Sequence, residues 1–190
     1  MFARTKRLLL RPGWIEDAPA LASAIGEESI VRNLARAPWP YTEADAVRFL
    51  SQEQDMRVPN FLILSRTNGQ PRLVGGIGLN QRADDRVELG YWIARPYWGL
   101  GFATEAGRAV MRIARASGLS GIVASHFIDN PASGNVLRKL GFRPTGQIVR
   151  RPSVGRGEDV TCALFEQGED VAMPRDTHRH IYEDAAPLAA

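Results

Sequence analysis

Two glycines one residue apart, Gly99 and Gly101, sit in the stretch RPYWGLGFATEA (residues 95–106), between an apolar run and a helical pattern. At the start of a helix the first amide N–H groups lack partners and the dipole is positive, so a phosphate is well placed there. Glycine removes the side chains that would keep an anion's oxygen from those amides. Ala103 and Thr104 keep the approach narrow, and Thr104 adds a hydroxyl. A Walker loop is excluded because no Lys follows, and GLGFAT lacks the third glycine of a dinucleotide fingerprint. A helix cap with two packing glycines remains the other reading. Some 30 residues further on, NPASGNVLRKLGF (130–142) places Asn130 at the end of a strand and Ser133 one turn later.

Among groups that could move protons, Glu88 stands out in VELGYWI (87–93), where alternation puts Glu88, Gly90 and Trp92 on one face. It is a candidate base or a salt-bridged strand glutamate. His126, in ASHFIDN, alternates to the face opposite Ser125 and reads either as a packed core histidine or as a second base. Cys162 is the only cysteine, which excludes an internal disulfide and a CxxC metal site. Its place in a late strand without an adjacent base assigns it a structural role.

These groups need a scaffold, and the composition supplies an ordinary one. Of 190 residues 44% are hydrophobic and 24% charged, and the formal charge is only +3. That describes one folded domain with a sizeable core. Basic residues are scattered, with only Lys6 and Lys139 as lysines, so no nucleic-acid-binding face is signalled. The apolar run near the N-terminus is too short for a signal peptide, and nothing approaches the roughly 18 apolar residues of a membrane span. The expectation is a cytoplasmic protein with no membrane partner.

RLLLRP (7–12) predicts a strand stopped by Pro12, and Ala18, Leu21, Ala22 and Ile25 are spaced for a helix. A second helix is expected over Ser29–Arg36, ended by Pro38 and Pro40. Thr42 with Asp45 three residues on opens a third, with Ala46, Val47, Phe49 and Leu50 as its buried side. FLILSR (61–66) and RLVGGIGLN (72–80) flank TNGQP, an Asn-Gly hairpin signal, and RVELGYWIA (86–94) follows as a strand. Next come a helix over Thr104–Ser117, a strand over 121–128, a helix closed by Gly141, and a last strand pair. Hairpins give antiparallel pairs and helical crossovers parallel ones, so the fold class is α/β with a mixed sheet. Residues 168–190 read as a peripheral tail on a domain spanning 1–167.

The chain resembles the GNAT superfamily of acyl-CoA N-acyltransferases, most closely the branch of ribosomal-protein N-terminal acetyltransferases. The resemblance rests on TKRLLLRPGWIEDAPAL, PWPYTEADA, VELGYWIARPYWGLGFATEA and NPASGNVLRKLGF, in that order, and runs from about Thr5 to Gln167. It implies a single mostly antiparallel sheet of about six or seven strands with helices on both faces and a V-shaped splay between the two central strands. It identifies the anion as the pyrophosphate of acetyl-CoA, held by amides of Trp98, Gly99, Leu100, Gly101, Phe102, Ala103 and Thr104. Backbone of Tyr91, Trp92 and Ile93 would line the pantetheine arm, with Asn130, Ser133 and Asn135 touching pantetheine or pyrophosphate. The position three residues before the first glycine, often Gln or Arg in the family, is Pro96, with Arg95 beside it.

Making an amide from a thioester needs a neutral amine, a stabilised oxyanion and a proton for the leaving thiolate. The resemblance implies direct attack by a primary amine, with Glu88 as base and the Ile93 N–H polarising the carbonyl. The tyrosine that many members carry four residues before the Gly of Gly-Phe is Leu137 here, so Ser133 or water is left to serve the thiolate. Trp39 and Tyr41, on the loop RAPWPY, are candidates to wall the acceptor pocket, with Ser125 and His126 as further acceptor contacts. Met56, Phe61, Trp98 and Phe102 read as core or cofactor packing, and the arginines of RRPSVGRG (150–157) as a solvated hairpin. The expected partner is a protein or peptide N-terminal amine. A small-molecule amine (amino acid, polyamine or antibiotic) and a silent acyl-CoA sensor are the alternatives. A monomer or homodimer is expected, and no metal.

Overall fold

The computed structural model describes residues 1–53, 55, 57–66 and 69–168. Asn68 of the Asn-Gly turn, Met56 and tail residues 169–190 lie outside the described residues. In chain order the elements are β1 (Ala3–Arg4), β2 (Leu8–Arg11), α1 (Ala18–Ile25), α2 (Glu28–Val31), α3 (Glu43–Leu50), β3 (Asn60–Ser65), β4 (Arg72–Gln81), β5 (Val87–Ile93), α4 (Phe102–Ala116), β6 (Val123–Phe127), α5 (Pro131–Lys139), β7 (Phe142–Ser153) and β8 (Glu158–Gln167). The strands form one eight-stranded sheet, ordered β1-β2-β3-β4-β5-β6-β8-β7. It exceeds the expected six or seven strands because Ala3 and Arg4 add an edge by pairing with Leu10 and Leu9. Among the described residues only β5 and β6, joined by the α4 crossover, run parallel.

The predicted capping box at Thr42 forms: Thr42 Oγ1 accepts from the Asp45 N–H, and Asp45 Oδ2 accepts from the Thr42 N–H. Ala46 and Leu50 are buried, whereas Val47 and Phe49 are exposed. An eight-residue helix turns only an i, i+4 stripe to the core, so the neighbours on either side face water. The helix expected over Ser29–Arg36 shortens to one turn, α2. Asn33 Nδ2 donates to the Ser29 carbonyl at 2.9 Å, taking the acceptor that the next helical amide would use.

Two apolar clusters sandwich the sheet. Leu8, Leu10, Ile63, Val74, Leu79, Leu89, Val110, Ile122 and Leu137 form one beneath α4 and α5. Leu21, Ile30, Ala46, Leu62 and Leu64 form the other beneath α1, α2 and α3. Gly107 lets α4 and α5 meet, since a Cβ there would lie 2.5 Å from Leu140 Cδ1. Among the described residues no helix is long and apolar enough to cross a membrane, and no group of three or more His, Cys, Asp or Glu gathers as a metal site.

β5 and β6 pair only at Glu88–Val123 and Leu89–Ala124. Beyond that point β6 stays on β8 from Val123–Glu166 to Phe127–Cys162, while β5 stays on β4 as far as Gly75–Ile93. The two central strands therefore diverge towards the C-terminal end of β5, and the expected splay is present.

Candidate active site

Ile93 ends β5, and the chain passes through a 3-10 turn at Arg95–Tyr97 before the glycines. The Trp98 N–H donates to the Arg95 carbonyl at 3.1 Å within that turn, so it is not available to an anion. Pro96 is the second residue of that turn, where its fixed φ suits a helical start. Trp98 lies largely exposed, and its Nε1 donates to the Ile93 carbonyl at 2.6 Å. Gly99 and Gly101 both adopt left-handed backbone, with φ of 75° and 78°, and Gly101 caps α4. Such φ values favour glycine, and they turn the amides of the loop and first helical turn outward together. Among the described residues nothing accepts from the N–H of Gly99, Leu100, Gly101, Phe102, Ala103 or Thr104. The side chain of Phe102 is buried in the core, and that of Thr104 is buried at the helix start.

The walls of the splay follow from register. The Ala94 N–H donates to the Val74 carbonyl at 2.9 Å. In an antiparallel pair alternate residues turn their backbone groups to the same neighbour. Trp92 therefore faces its N–H and C=O to Gly76 on β4, whereas Tyr91 and Ile93 face theirs into the gap. Of the three backbone positions expected along the pantetheine arm, Tyr91 has both groups to offer and Ile93 its N–H, the Ile93 carbonyl being taken by Trp98 Nε1. The Trp92 ring lies instead over Gly76 and against the second core.

Across the gap, α5 begins at Asn130, whose Oδ1 accepts from the Ser133 N–H at 3.3 Å. Tyr91 Oη donates to the Ser133 carbonyl at 2.9 Å and lies 2.8 Å from Ser133 Oγ. Burial pushes the Tyr91 phenol up to about 12, against the hydrogen bond from Ser133. Leu137 is fully buried. Asn135 is exposed, accepting from Arg138 at 3.1 Å. His126 lies under α5: its Nε2 would be 2.6 Å from a Cβ at Gly134, its ring packs on Phe165, and Nδ1 meets the Phe127 carbonyl at 2.8 Å.

The opposite face of β5 carries Glu88. Arg151 Nη1 donates to Glu88 Oε1 at 2.6 Å, Ser125 Oγ to the same oxygen at 2.9 Å, and Arg82 Nη1 to Oε2 at 3.3 Å. Arg151 also reaches Ser125 Oγ at 3.0 Å. Beside them Arg36 Nη2 donates to Asn80 Oδ1 at 2.8 Å, and Asn80 is the register partner of Glu88. The β7–β8 tip closes over this face. Ser153 Oγ and the Val154 N–H donate to the carbonyls of Leu34 and Ala35, and Arg156 donates to the Arg32 carbonyl and pairs with Asp129.

Arg151 and Arg156 therefore correct the reading of RRPSVGRG as a solvated hairpin: both are tied down by carboxylates. Trp39 is 43% exposed on the neighbouring loop. Tyr41 packs on the second core, with its phenol raised to about 12 by burial and by the nearby Asp45 charge. Cys162 is buried and its thiol raised, chiefly by that burial.

Sequence reasoning missed Arg82, Arg151 and the Tyr91 hydroxyl. Arg82 had a signal, since it sits six residues before Glu88 across a tight turn. Arg151 had none, because 63 residues separate it from its partner.

The family profile described as "Acetyltransferase (GNAT) domain" matches residues 7–143. An N-acetyltransferase of Bacillus subtilis, YoaA, is 32% identical over 178 residues, covering 90% of this chain and 97% of its own. The crystal structure of a GNAT-family acetyltransferase from Bacillus anthracis superposes with a TM-score of 0.74 at 23% identity, covering 87% of this chain and 97% of the other. RimL, a ribosomal L7/L12 α-N-protein acetyltransferase solved with coenzyme A, gives a TM-score of 0.72 at 18% identity over 88% of this chain and 97% of its own. The chain belongs to the GNAT acetyltransferase family.

Proposed function

We propose that this acetyltransferase passes the acetyl group of acetyl-CoA directly to a primary amine at a protein or peptide N-terminus. The observation that carries it is the disposition of groups about β5: Glu88 on one face, the Tyr91–Ser133 pair on the other, with the splay between them. The donor suits the chain on its own features: a left-handed Gly99–Gly101 turn, outward amides at the start of α4, and backbone groups of Tyr91 and Ile93 without a strand partner. Acetyl-CoA is the cosubstrate of this family fold and supplies an acetyl group activated as a thioester.

Glu88 is placed to take the proton of the attacking amine, directly or through water, while Arg82, Arg151 and Ser125 fix the carboxylate. The Ile93 N–H, turned into the gap, is a donor for an oxyanion. Ser133 Oγ, backed by Tyr91 Oη, holds a hydroxyl proton on the far side of the strand. Cys162 is buried, and among the described residues no other thiol stands at the splay, which favours direct attack over a covalent enzyme intermediate. The likeness to RimL, named for acting on a ribosomal protein's N-terminus, supports a peptide acceptor.

A second reading, a small amine that carries a carboxylate, is favoured by Arg36, Arg82 and Arg151 gathered around one glutamate. Release of free thiol from acetyl-CoA across a panel of peptides, amino acids and small amines separates the two. Background release with every acceptor would support a silent acyl-CoA sensor instead.

A further inference from the structure

Glycine inside a strand marks a bulge, a bend, or a place where a ligand comes close to the backbone. β4 and β5 hold four glycines, Gly75, Gly76, Gly78 and Gly90. At three of them the protein itself fills the space. A Cβ at Gly75 would strike the Trp92 carbonyl, one at Gly76 the Trp92 indole at 2.5 Å, and one at Gly78 the Asn60 side chain. Gly90 differs: a Cβ there would have only Asn80 Nδ2 within 4 Å, at 3.7 Å. It is no bulge, since the β4–β5 register runs unbroken through Gly78–Gly90. Its φ lies outside the left-handed region, so the backbone does not demand glycine. Close approach of a ligand is the use left for it.

The empty space stands at the vertex of the splay. The last β5–β6 pair is Leu89–Ala124, so among the described residues Gly90 is the first of β5 without a partner on that side. Gly90 is exposed although β5 is a central strand and the adjoining Leu89 is buried. On the same face Glu88 lies two residues before it and Trp92 two residues after, each about 7 Å away along the strand. Asn80, which bounds the space from β4, accepts from Arg36. The opening is thus one side chain wide, between the candidate base and Trp92, with the mouth of the gap beside it. We infer that Gly90 is a specificity-determining residue. The side chain it lacks is the room in which the acceptor's amine-bearing carbon reaches the splay, and it sets how large a substituent that carbon can carry. The inference rests on Glu88 marking the acceptor side.

The test is thiol release from acetyl-CoA by the full chain and by its Gly90→Ala and Gly90→Val variants. The acceptors are otherwise identical peptides beginning with glycine, alanine, leucine or phenylalanine, and the same four free amino acids. An added methyl in a site of fixed size changes discrimination by about tenfold or more. In both variants kcat/KM is therefore expected to fall chiefly through the acceptor's KM, least for glycine and by about tenfold or more for the largest first residue. Acetyl-CoA affinity by calorimetry and the thermal midpoint stay as in the unsubstituted chain. Should the valine variant not fold, the alanine variant keeps the test, because its Cβ meets nothing closer than 3.7 Å. An unchanged kcat/KM overturns the inference, as does a loss equal for every acceptor or one that follows weakened acetyl-CoA binding. A graded loss on free amino acids, with every peptide inert, would overturn the peptide reading while keeping Gly90 as the acceptor's floor. Background release with every acceptor in the unsubstituted chain would remove both.

Discussion

Arg151 Nη1 lies 2.6 Å from Glu88 Oε1, although the two residues are 63 positions apart in the chain. The contact ties the long β7–β8 hairpin to the central strand at the point where β5 and β6 begin to part. With Ser125 and Arg82 it leaves Glu88 held from both of its oxygens.

Replacing Glu88 with Gln keeps the size of the side chain but removes its charge. In steady-state assays kcat is expected to fall by at least about tenfold, with acetyl-CoA affinity unchanged. An unaltered rate would remove Glu88 from the reaction.

Ser133→Ala deletes the hydroxyl that meets Tyr91 Oη at 2.8 Å. Loss of a thiolate donor predicts a kcat lowered by roughly tenfold or more at little change in acceptor KM. Tyr91→Phe removes the hydroxyl's hydrogen bond to the Ser133 carbonyl and should destabilise the fold by about 1 kcal/mol, measurable by urea unfolding. Ser133→Ala at full activity would leave water as the proton source.

Gly101 caps α4 at a φ of 78°, and the space around it is open, with only Arg7 Nη2 within 4 Å of a built Cβ. Gly101→Glu is therefore expected to keep the fold, at a backbone cost of about 1–3 kcal/mol, while placing a negative charge where phosphate is expected. Acetyl-CoA binding should vanish in titration. Retained affinity would mean that the turn does not hold the pyrophosphate.

Two carboxylates bind β2 to its surroundings. Arg11 holds Asp17 with two hydrogen bonds of 2.7 Å, which with its other partners keeps that carboxyl below the usual range despite partial burial. For Glu105 burial opposes ionisation, but Thr5, the Arg7 N–H and the Arg7 guanidinium outweigh it, and the carboxyl is again lowered. Both groups bind protons less readily folded than unfolded, so stability rises with pH through this window. Their contribution is complete above the unfolded carboxylate range of about 4, and is lost as pH falls through the folded values below it. Thermal unfolding between about pH 2 and 6 should show this slope, reduced by Asp17→Asn and Glu105→Gln together.

By itself the sequence determined most of the elements, the family and the glycine turn, because each of these is written in short-range chemistry. Pro12 stops a strand, Thr42 and Asp45 cap each other across three residues, and Gly99 and Gly101 mark left-handed backbone beside a helix start. The face shared by Glu88, Gly90 and Trp92 was also legible, since strand alternation is a period of two. Partnership across the sheet was not. Strand order brings Arg151 to Glu88, α5 to Tyr91, and the basic side chains of residues 4–7 to α4, over separations that no periodicity reports. The choice among Tyr91, Trp92 and Ile93 was likewise tertiary, because a backbone amide faces the gap or the neighbouring strand according to register. Local propensity determines where elements start and stop; only packing decides which charges they bring together.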